Sequence, residues 1–180
     1  MRRRTALGAG ALALGALVAA GLAARRARLE PMLVKGASMR PTLTAGQRIA
    51  VAPLLRPPAR GDLVVVARPG PRSTGAPPWG SPNPSGDLEV VKRVVGLPGE
   101  RLRLHPGGLE VDGQPVPEPY LAGPPAAGTL EVELGPAEYL VLGDHRAAST
   151  DGRDFGPVGA DALLGRVRFA YWPPRRLRRG

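Results

Sequence analysis

The chain has no cysteine, and it contains only two histidines and two lysines among its 180 residues. The absence of cysteine excludes disulfides, cysteine nucleophiles, zinc–thiolate sites and iron–sulfur clusters. His105 and His145 are too few for a histidine-rich metal site, so we predict neither a metal nor a cofactor. Long helical bundles are disfavoured, because 25 glycines and 22 prolines recur along the chain and both residues interrupt helices.

Aromatic residues are also scarce, seven in all, although the formal net charge is +10. The excess charge lies in the tails: residues 1–30 carry +5 and residues 173–180 carry +4, which leaves +1 for residues 31–172. A nucleic-acid interface would place basic and aromatic side chains on the folded body. We therefore predict no nucleic-acid partner, and basic tails beside an apolar segment fit anionic membrane lipid better.

Residues 5–24 form a run of 20 uncharged residues with arginines on both sides. As a helix rising about 1.5 Å per residue, this run spans roughly 30 Å, the thickness of the bilayer's hydrocarbon core. A cleaved secretory signal is the alternative interpretation. We predict a retained single transmembrane anchor, with residues 1–4 in the cytoplasm and residues 25–33 as a juxtamembrane linker.

The rest of the chain, residues 34–172, is predicted to form one mainly β, barrel-like domain. Short β-branched or alternating runs follow one another with glycine or proline turns between them: GDLVVVARP, LEVVKRVVGL, RLRLH, GLEVDG, TLEVELG, EYLVLGD and GRVRFAYW. Residues 69–86 are rich in proline, glycine and serine and are predicted to form a flexible loop. Residues 173–180 are a basic tail.

Lys92 is a candidate general base. The chain uses arginine for positive charge, 23 times against two lysines, and a lysine can lose its proton whereas an arginine effectively cannot. Lys92 lies within LEVVKRVVGL, where burial in a strand is expected to lower its pKa. An ordinary strand lysine is the alternative. Lys35 is expected to be a solvated flanking residue.

Ser38 lies in GASMRPTL, where small neighbours would admit a substrate backbone. A serine of this kind is by itself more typical of an ordinary loop. A third segment, LGDHRAASTDGRDFGPVG, interleaves acids and arginines that can hold a loop by charge-assisted hydrogen bonds. Its spacing does not match a calcium-binding loop.

Taken together and in order, GASMRPTL, GDLVVV, VVKRVVGLPGE and GDHRAASTDGRDFGPV resemble the sequence boxes of type I signal peptidases. Members of this family are membrane-anchored serine proteases with a Ser/Lys dyad. The resemblance implies that Ser38 is the nucleophile and Lys92 the general base. It further implies that Ser149 orients the lysine, that Asp151 and Arg153 pair to hold the site, and that Asp144 begins their loop.

The family resemblance also implies a substrate and a location. The enzyme would remove signal peptides from exported preproteins on the outer face of the cytoplasmic membrane, as a monomer. It would cut after small residues, through shallow apolar pockets formed near Val34, Met39, Leu43, Val90 and Val91. Met39 and Leu43 could equally belong to the hydrophobic core.

The chain departs from the family pattern at three positions. His145 and Gly152 replace the common asparagine and serine, and Gly36 occupies a position where some members carry a hydroxyl as oxyanion donor. None of these changes affects the dyad. A specialised conjugation or pilin-processing peptidase of the same clan and a catalytically inactive, membrane-tethered β-module stay open as alternatives. A self-cleaving repressor would carry a DNA-binding domain where this chain has its apolar run.

Overall fold

The structure is a computed structural model that describes residues 29–67, 89–121, 123–124 and 129–173. The predicted anchor at residues 5–24, the predicted loop at residues 69–86 and residues 174–180 of the basic tail lie outside the described residues. Within the described ranges, no helix is long and apolar enough to cross a membrane.

The described part of the chain is mainly β, as predicted. Its strands, in chain order, are β1 (Glu30–Leu33), β2 (Arg48–Ala52), β3 (Leu63–Ala67), β4 (Glu89–Gly96), β5 (Arg101–His105), β6 (Gly108–Val111), β7 (Gln114–Val116), β8 (Leu130–Glu133), β9 (Glu138–Leu142), β10 (Val158–Gly159) and β11 (Leu163–Trp172). One four-residue helix, α1 (Gly152–Phe155), and two single turns of 3₁₀ helix are the other regular elements there.

The strands form two antiparallel sheets. The larger sheet has the order β1-β2-β11-β3-β4-β9-β10, and the smaller has the order β7-β6-β5-β8. Strand β1 begins at Glu30, four residues before the domain boundary predicted from the sequence and within the predicted linker. Pro31 is compatible with this position, because β1 is an edge strand and proline removes one backbone hydrogen-bond donor.

The small sheet packs on the β4–β9 side of the large sheet. Leu102, Leu104 and Leu109 of the small sheet share one buried cluster with Leu140 and Leu142 of β9. Gly96, at the end of β4, makes this approach possible, because a Cβ there would lie 2.8 Å from side-chain carbons of Leu102 and Leu134. The loop between β9 and β10 is therefore held close to the small sheet.

That loop is organised by Asp151, which is completely buried. Its carboxylate accepts hydrogen bonds from the backbone N–H of Gly143 at 2.9 Å and of Arg153 at 3.2 Å, so it caps the N-terminus of α1. The Asp154 carboxylate accepts a hydrogen bond from the Asp151 N–H at 2.8 Å, which completes a capping box. Burial alone would raise the pKa of Asp151, but hydrogen bonds from Arg153, the Gly143 N–H and Ser149, together with the Arg153 charge, hold it below its usual value.

Asp151 should therefore stabilise the fold in a pH-dependent way. Because its pKa is lowered on folding, its contribution is complete above about pH 4 and is lost as the pH falls through the lowered pKa of the folded state. We expect Asp151→Asn to lower the free energy of unfolding by about 1–3 kcal/mol at neutral pH, with the deficit shrinking under acid conditions. Chemical unfolding followed by circular dichroism across that pH range measures the difference in unfolding free energy from wild type. Asp161→Asn is the control, because Asp161 is exposed. A deficit that does not change with pH would contradict this role.

Candidate active site

Ser38 lies on a tight turn between β1 and β2. Gly36 introduces the turn with a φ of +77°, a conformation that glycine adopts without strain. Two backbone hydrogen bonds close the turn around the serine. The Arg40 N–H donates to the Ala37 carbonyl at 3.1 Å, and the Leu43 N–H donates to the Met39 carbonyl at 2.8 Å. Ser38 is half-buried and lies next to the fully packed Met39, so its backbone is fixed while its side chain stays accessible.

Lys92 lies in the middle of β4, where it is paired with Val64 of β3. Its side chain is buried, with 2% of its surface exposed. The Nζ atom lies 3.0 Å from Oγ of Ser149, in the loop that follows β9. The sequence-based prediction that Ser149 contacts the lysine therefore agrees with the geometry.

Ser149 connects the lysine to a buried carboxylate. The Ser149 hydroxyl is one of the groups that lower the pKa of the Asp151 carboxylate. Its oxygen accepts a hydrogen bond from the Lys92 amine. Arg153 completes the chain through Nε and Nη2, which lie 2.9 and 3.1 Å from the two Asp151 carboxylate oxygens.

The Ser38 turn and the Ser149 loop meet at Gly143. A Cβ on Gly143 would lie 2.6 Å from the carbonyl oxygen of Ser38 and 2.6 Å from Cβ of Ser149. The next turn of the loop is tied to the same carbonyl, which accepts the N–H of His145 at 2.9 Å. The Ser38 backbone and Ser149 are therefore brought together at a residue that has no side chain, and Lys92 joins them through its hydrogen bond to Ser149.

Arg93 and Asp144 form a buried ion pair next to Ser38, Lys92 and Ser149. Arg93 donates to both oxygens of Asp144, with Nε to Oδ1 at 2.8 Å and Nη2 to Oδ2 at 2.7 Å. The hydroxyl of Thr42 also donates to Asp144, and Arg93 binds the carbonyl of Gly61 at 2.8 Å. This pair joins the residue after Lys92 to the loop before Ser149 and to the end of the Ser38 turn.

An open cavity of about 380 Å³ adjoins Ser38. It is lined by residues 31–35, 38–39 and 89–91, and we call it the β1–β4 groove. Three strands separate β1 from β4 in the sheet order, so the sheet must curl for both to line one groove. The groove walls are mostly apolar, with Glu89 and Lys35 as the charged residues among the lining positions.

The structure brings most of the predicted site residues together. Four of the five predicted pocket residues line the groove: Val34, Met39, Val90 and Val91. Leu43 does not line it; its side chain is fully buried in the core cluster with Ile49, which is the alternative that the sequence left open for it. In the described ranges, no cluster of carboxylates and imidazoles is arranged to hold a metal ion.

Arg146 belongs to the segment of interleaved acids and arginines noted in the sequence, but sequence reasoning missed other residues of the site: Arg93, Thr42, Gly143, Glu118 and Tyr120. A signal existed for Arg93 alone, because a charged residue next to Lys92 in a β-branched strand predicts a buried acidic partner. The remaining contacts join segments that are distant in sequence, so no local pattern identifies them.

Comparisons with known proteins identify the family of the chain. The family model described as "Signal peptidase, peptidase S26" matches residues 7–172. "Probable signal peptidase I-2" of Synechocystis sp. is 33% identical over 158 residues, which cover 82% of this chain and 65% of that protein. "Signal peptidase I" of Leptolyngbya laminosa is 33% identical over 167 residues, covering 91% and 79% of the two chains.

Other similar proteins carry related names. "Signal peptidase IB" of Staphylococcus aureus is 33% identical over 166 residues, covering 81% of this chain and 78% of that protein. A crystal structure of a signal peptidase I from Enterococcus faecalis matches with a TM-score of 0.49 and 24% identity, covering 63% and 98% of the two chains. The family model and the sequence relatives confirm the resemblance inferred from the motifs: the chain belongs to the peptidase S26 family of signal peptidases.

Proposed function

We propose that this chain is a membrane-associated serine endopeptidase that removes signal peptides from exported preproteins and cuts after small residues. The names of its relatives support the reaction. One observation carries the assignment of residues: the buried Lys92 amine, hydrogen-bonded to Ser149, lies in the same cluster around Gly143 as the Ser38 turn. Burying a lysine amine costs free energy that an apolar side chain at the same position would not cost, which supports a chemical role for Lys92.

In the first step, Lys92 acts as the general base. Its neutral amine takes the Ser38 proton while Oγ attacks the scissile carbonyl, forming a tetrahedral intermediate. Burial favours the neutral form of an amine, and Ser149 fixes the direction of Nζ by accepting one of its hydrogens. Lys92 then gives the proton to the leaving amine, which departs with the mature protein and leaves the signal peptide esterified to Ser38.

In the second step, Lys92 takes a proton from water, which attacks the ester; Lys92 then returns this proton to Ser38 Oγ as the acyl bond breaks and the signal peptide is released. The oxyanion of both intermediates requires hydrogen-bond donors. Gly36 offers no hydroxyl for this purpose, so the proposed donors are backbone N–H groups, including that of Ser38. Asp144, Asp151 and Arg153 do not touch the substrate in this mechanism; they hold the loop and strand that carry Ser149 and Lys92.

The β1–β4 groove is suited to bind the substrate as an extended strand. Strand β1 pairs with β2 alone, and β4 pairs with β9 only from Arg93 onward among the described residues. The outer backbone edges of β1 and of Glu89–Val91 therefore face the groove without a strand of the described fold between them. An extended peptide could add to such edges by backbone hydrogen bonds, and the packed walls at Val34, Met39 and Val91 would leave room only for small side chains.

A surface patch supports membrane association. Leu33 and Trp172 are both paired in register with Arg48, which places them on one face of neighbouring strands. With Phe169 and Tyr171 they expose large apolar surface on β1 and β11. We propose that residues 5–24 are a single-pass anchor in the cytoplasmic membrane, that the catalytic domain lies on the outer face, and that this patch contacts lipid.

Cleavage of an exported preprotein tests the proposed reaction. The purified full chain in detergent should release a signal peptide of the expected length, and Ser38→Ala should abolish release. Equal cleavage by Ser38→Ala would show that another residue attacks the substrate. A folded wild-type chain that cleaves no preprotein would favour an inactive, membrane-tethered module.

Lys92→Arg separates a general base from a cation that serves only structure. The guanidinium keeps its proton at any working pH, so Ser38 would not be activated, and preprotein cleavage should fall by about 10²–10⁴-fold. Lys35→Arg is the matched control and should keep most of the activity, because Lys35 is an exposed groove residue whose proposed role is not chemical. If Lys92→Arg cleaved well and Lys35→Arg did not, the base would be Lys35.

Gly143→Ala tests whether the Ser38 turn and the Ser149 loop must touch. The added methyl would overlap the Ser38 backbone carbonyl, which cannot rotate away as a side chain could. We expect a loss of stability of about 1–3 kcal/mol and a loss of cleavage of about 10²-fold or more, since small displacements of reacting groups are costly. Gly123→Ala, which meets no atom within 4 Å, should change neither. Normal activity of Gly143→Ala would contradict the convergence of the site at this residue.

Retention of the anchor has its own test. Intact-mass measurement and N-terminal sequencing of the protein from the membrane fraction should find residues 5–24 in the mature chain. A mature chain that begins near Ala24 and is recovered in the soluble fraction would show instead that the apolar run is a cleaved signal.

A further inference from the structure

The segment after β7 leaves the small sheet and contacts arginines beside the proposed catalytic residues, outside the β1–β4 groove. It carries Glu118 and Tyr120, separated by Pro119, and Tyr120 is 5% exposed. Neither residue lines the β1–β4 groove. Both contact arginines that lie next to the proposed catalytic groups: Arg93 follows Lys92 directly, and Arg146 lies three residues before Ser149.

Tyr120 contacts Arg93 through its ring. The centre of the ring lies 3.9 Å from the guanidinium carbon, a cation–π contact in a buried environment. The hydroxyl donates to Oε1 of Glu118 at 2.6 Å. Burial and the neighbouring Glu118 carboxylate raise the pKa of Tyr120 far above its usual range, so the hydroxyl keeps the proton that it donates.

Glu118 contacts the Ser149 loop through Arg146. The same oxygen, Oε1, accepts from Nη2 of Arg146, and the two side chains are 5% and 3% exposed. Arg146 in turn donates from Nε to the Gly143 carbonyl at 3.1 Å, and its own carbonyl accepts from Arg153 at 2.6 Å. The acid thus acts on the first turn of the loop, between Gly143 and Ser149.

We propose that Glu118 and Tyr120 are positioning residues that set the geometry of the Lys92–Ser149 pair from the segment that follows β7. This inference rests on the proposed function and adds to it a catalytic role for that segment. One residue holds each side of the pair: Tyr120 supports β4 through Arg93, and Glu118 supports the loop through Arg146. Loss of either contact lets Nζ and Oγ drift apart without altering the groove that binds the peptide.

Steady-state cleavage of a preprotein by the full chain provides the first test. Glu118→Gln keeps the shape of the side chain and removes its charge; we expect kcat to fall about tenfold or more and KM to stay within about twofold of wild type. Tyr120→Phe keeps the ring and should lose less than Tyr120→Leu, which removes both contacts. Glu110→Gln is the matched control, because Glu110 lies in the small sheet that precedes the Glu118 segment and pairs with Arg103 and His105 away from the site; its kcat should equal that of wild type.

A double-mutant cycle with Ser149→Ala tests whether Glu118 acts through the pair. If Glu118 acts through the pair, Glu118→Gln should lower kcat much less in the Ser149→Ala background than in wild type, because the Lys92–Ser149 contact that Glu118 positions is already gone. Equal losses in both backgrounds, or a lowered unfolding temperature with an unchanged kcat, would overturn the proposal and leave Glu118 as a residue of the fold alone.

The two lysines allow a test that needs no catalysis. A chain labelled with ¹³Cε-lysine gives two side-chain signals, and Lys35→Arg assigns them. In Glu118→Gln and in Tyr120→Phe, the Lys92 signal and its titration midpoint should move beyond the spread of Glu110→Gln, while the Lys35 signal stays in place. An unmoved Lys92 signal in folded variants would refute the inference, even if the chain cleaved no preprotein and the proposed function itself had failed.

Discussion

The buried ion pair between Arg93 and Asp144 holds together the three segments that carry the proposed chemistry. Arg93 continues the strand of Lys92, Asp144 opens the loop of Ser149, and Thr42, bonded to Asp144, ends the turn of Ser38. The two-point contact between a guanidinium and a carboxylate fixes orientation as well as distance. Both side chains are at most 1% exposed, so a broken pair would leave a buried charge, which is strongly destabilising.

Burying so many charged groups costs folding free energy, and here that cost is offset because each group has several hydrogen-bond or ion-pair partners. Arg93 binds Asp144, the Gly61 carbonyl and the face of Tyr120. Asp151 binds two N–H groups and Arg153. Arginine keeps its charge under all working conditions. Among the buried cations that the structure describes, Lys92 alone can therefore exchange a proton with a substrate, and the arginines around it form a fixed framework.

Much of the fold and part of the site could be predicted from the sequence because the signals were local. The β-branched run around Lys92 predicted β4, and the glycine and proline turns predicted the short strands that follow. For the loop that carries Ser149, Asp151 and Arg153, the interleaved charges indicated a loop held by hydrogen bonds, and the resemblance to the family's sequence boxes implied which of these residues pair. The start of β1 could not be predicted in the same way, because proline disfavours strands. Pro31 is tolerated only because β1 is an edge strand, where no backbone N–H is needed at that position.

The contacts that could not be predicted are those made across the sheets. Leu43 and Met39 have the same apolar character and belong to the same buried core cluster, and only the three-dimensional path of the turn decides that Met39 also lines the groove. Glu118 and Tyr120 lie in a proline-rich turn, which by composition indicates an exposed loop. Their burial follows from the docking of the small sheet on β4 and β9, which requires the missing side chain of Gly96. A glycine that brings two sheets together thus determines which distant acid and phenol meet the arginines beside Lys92 and Ser149.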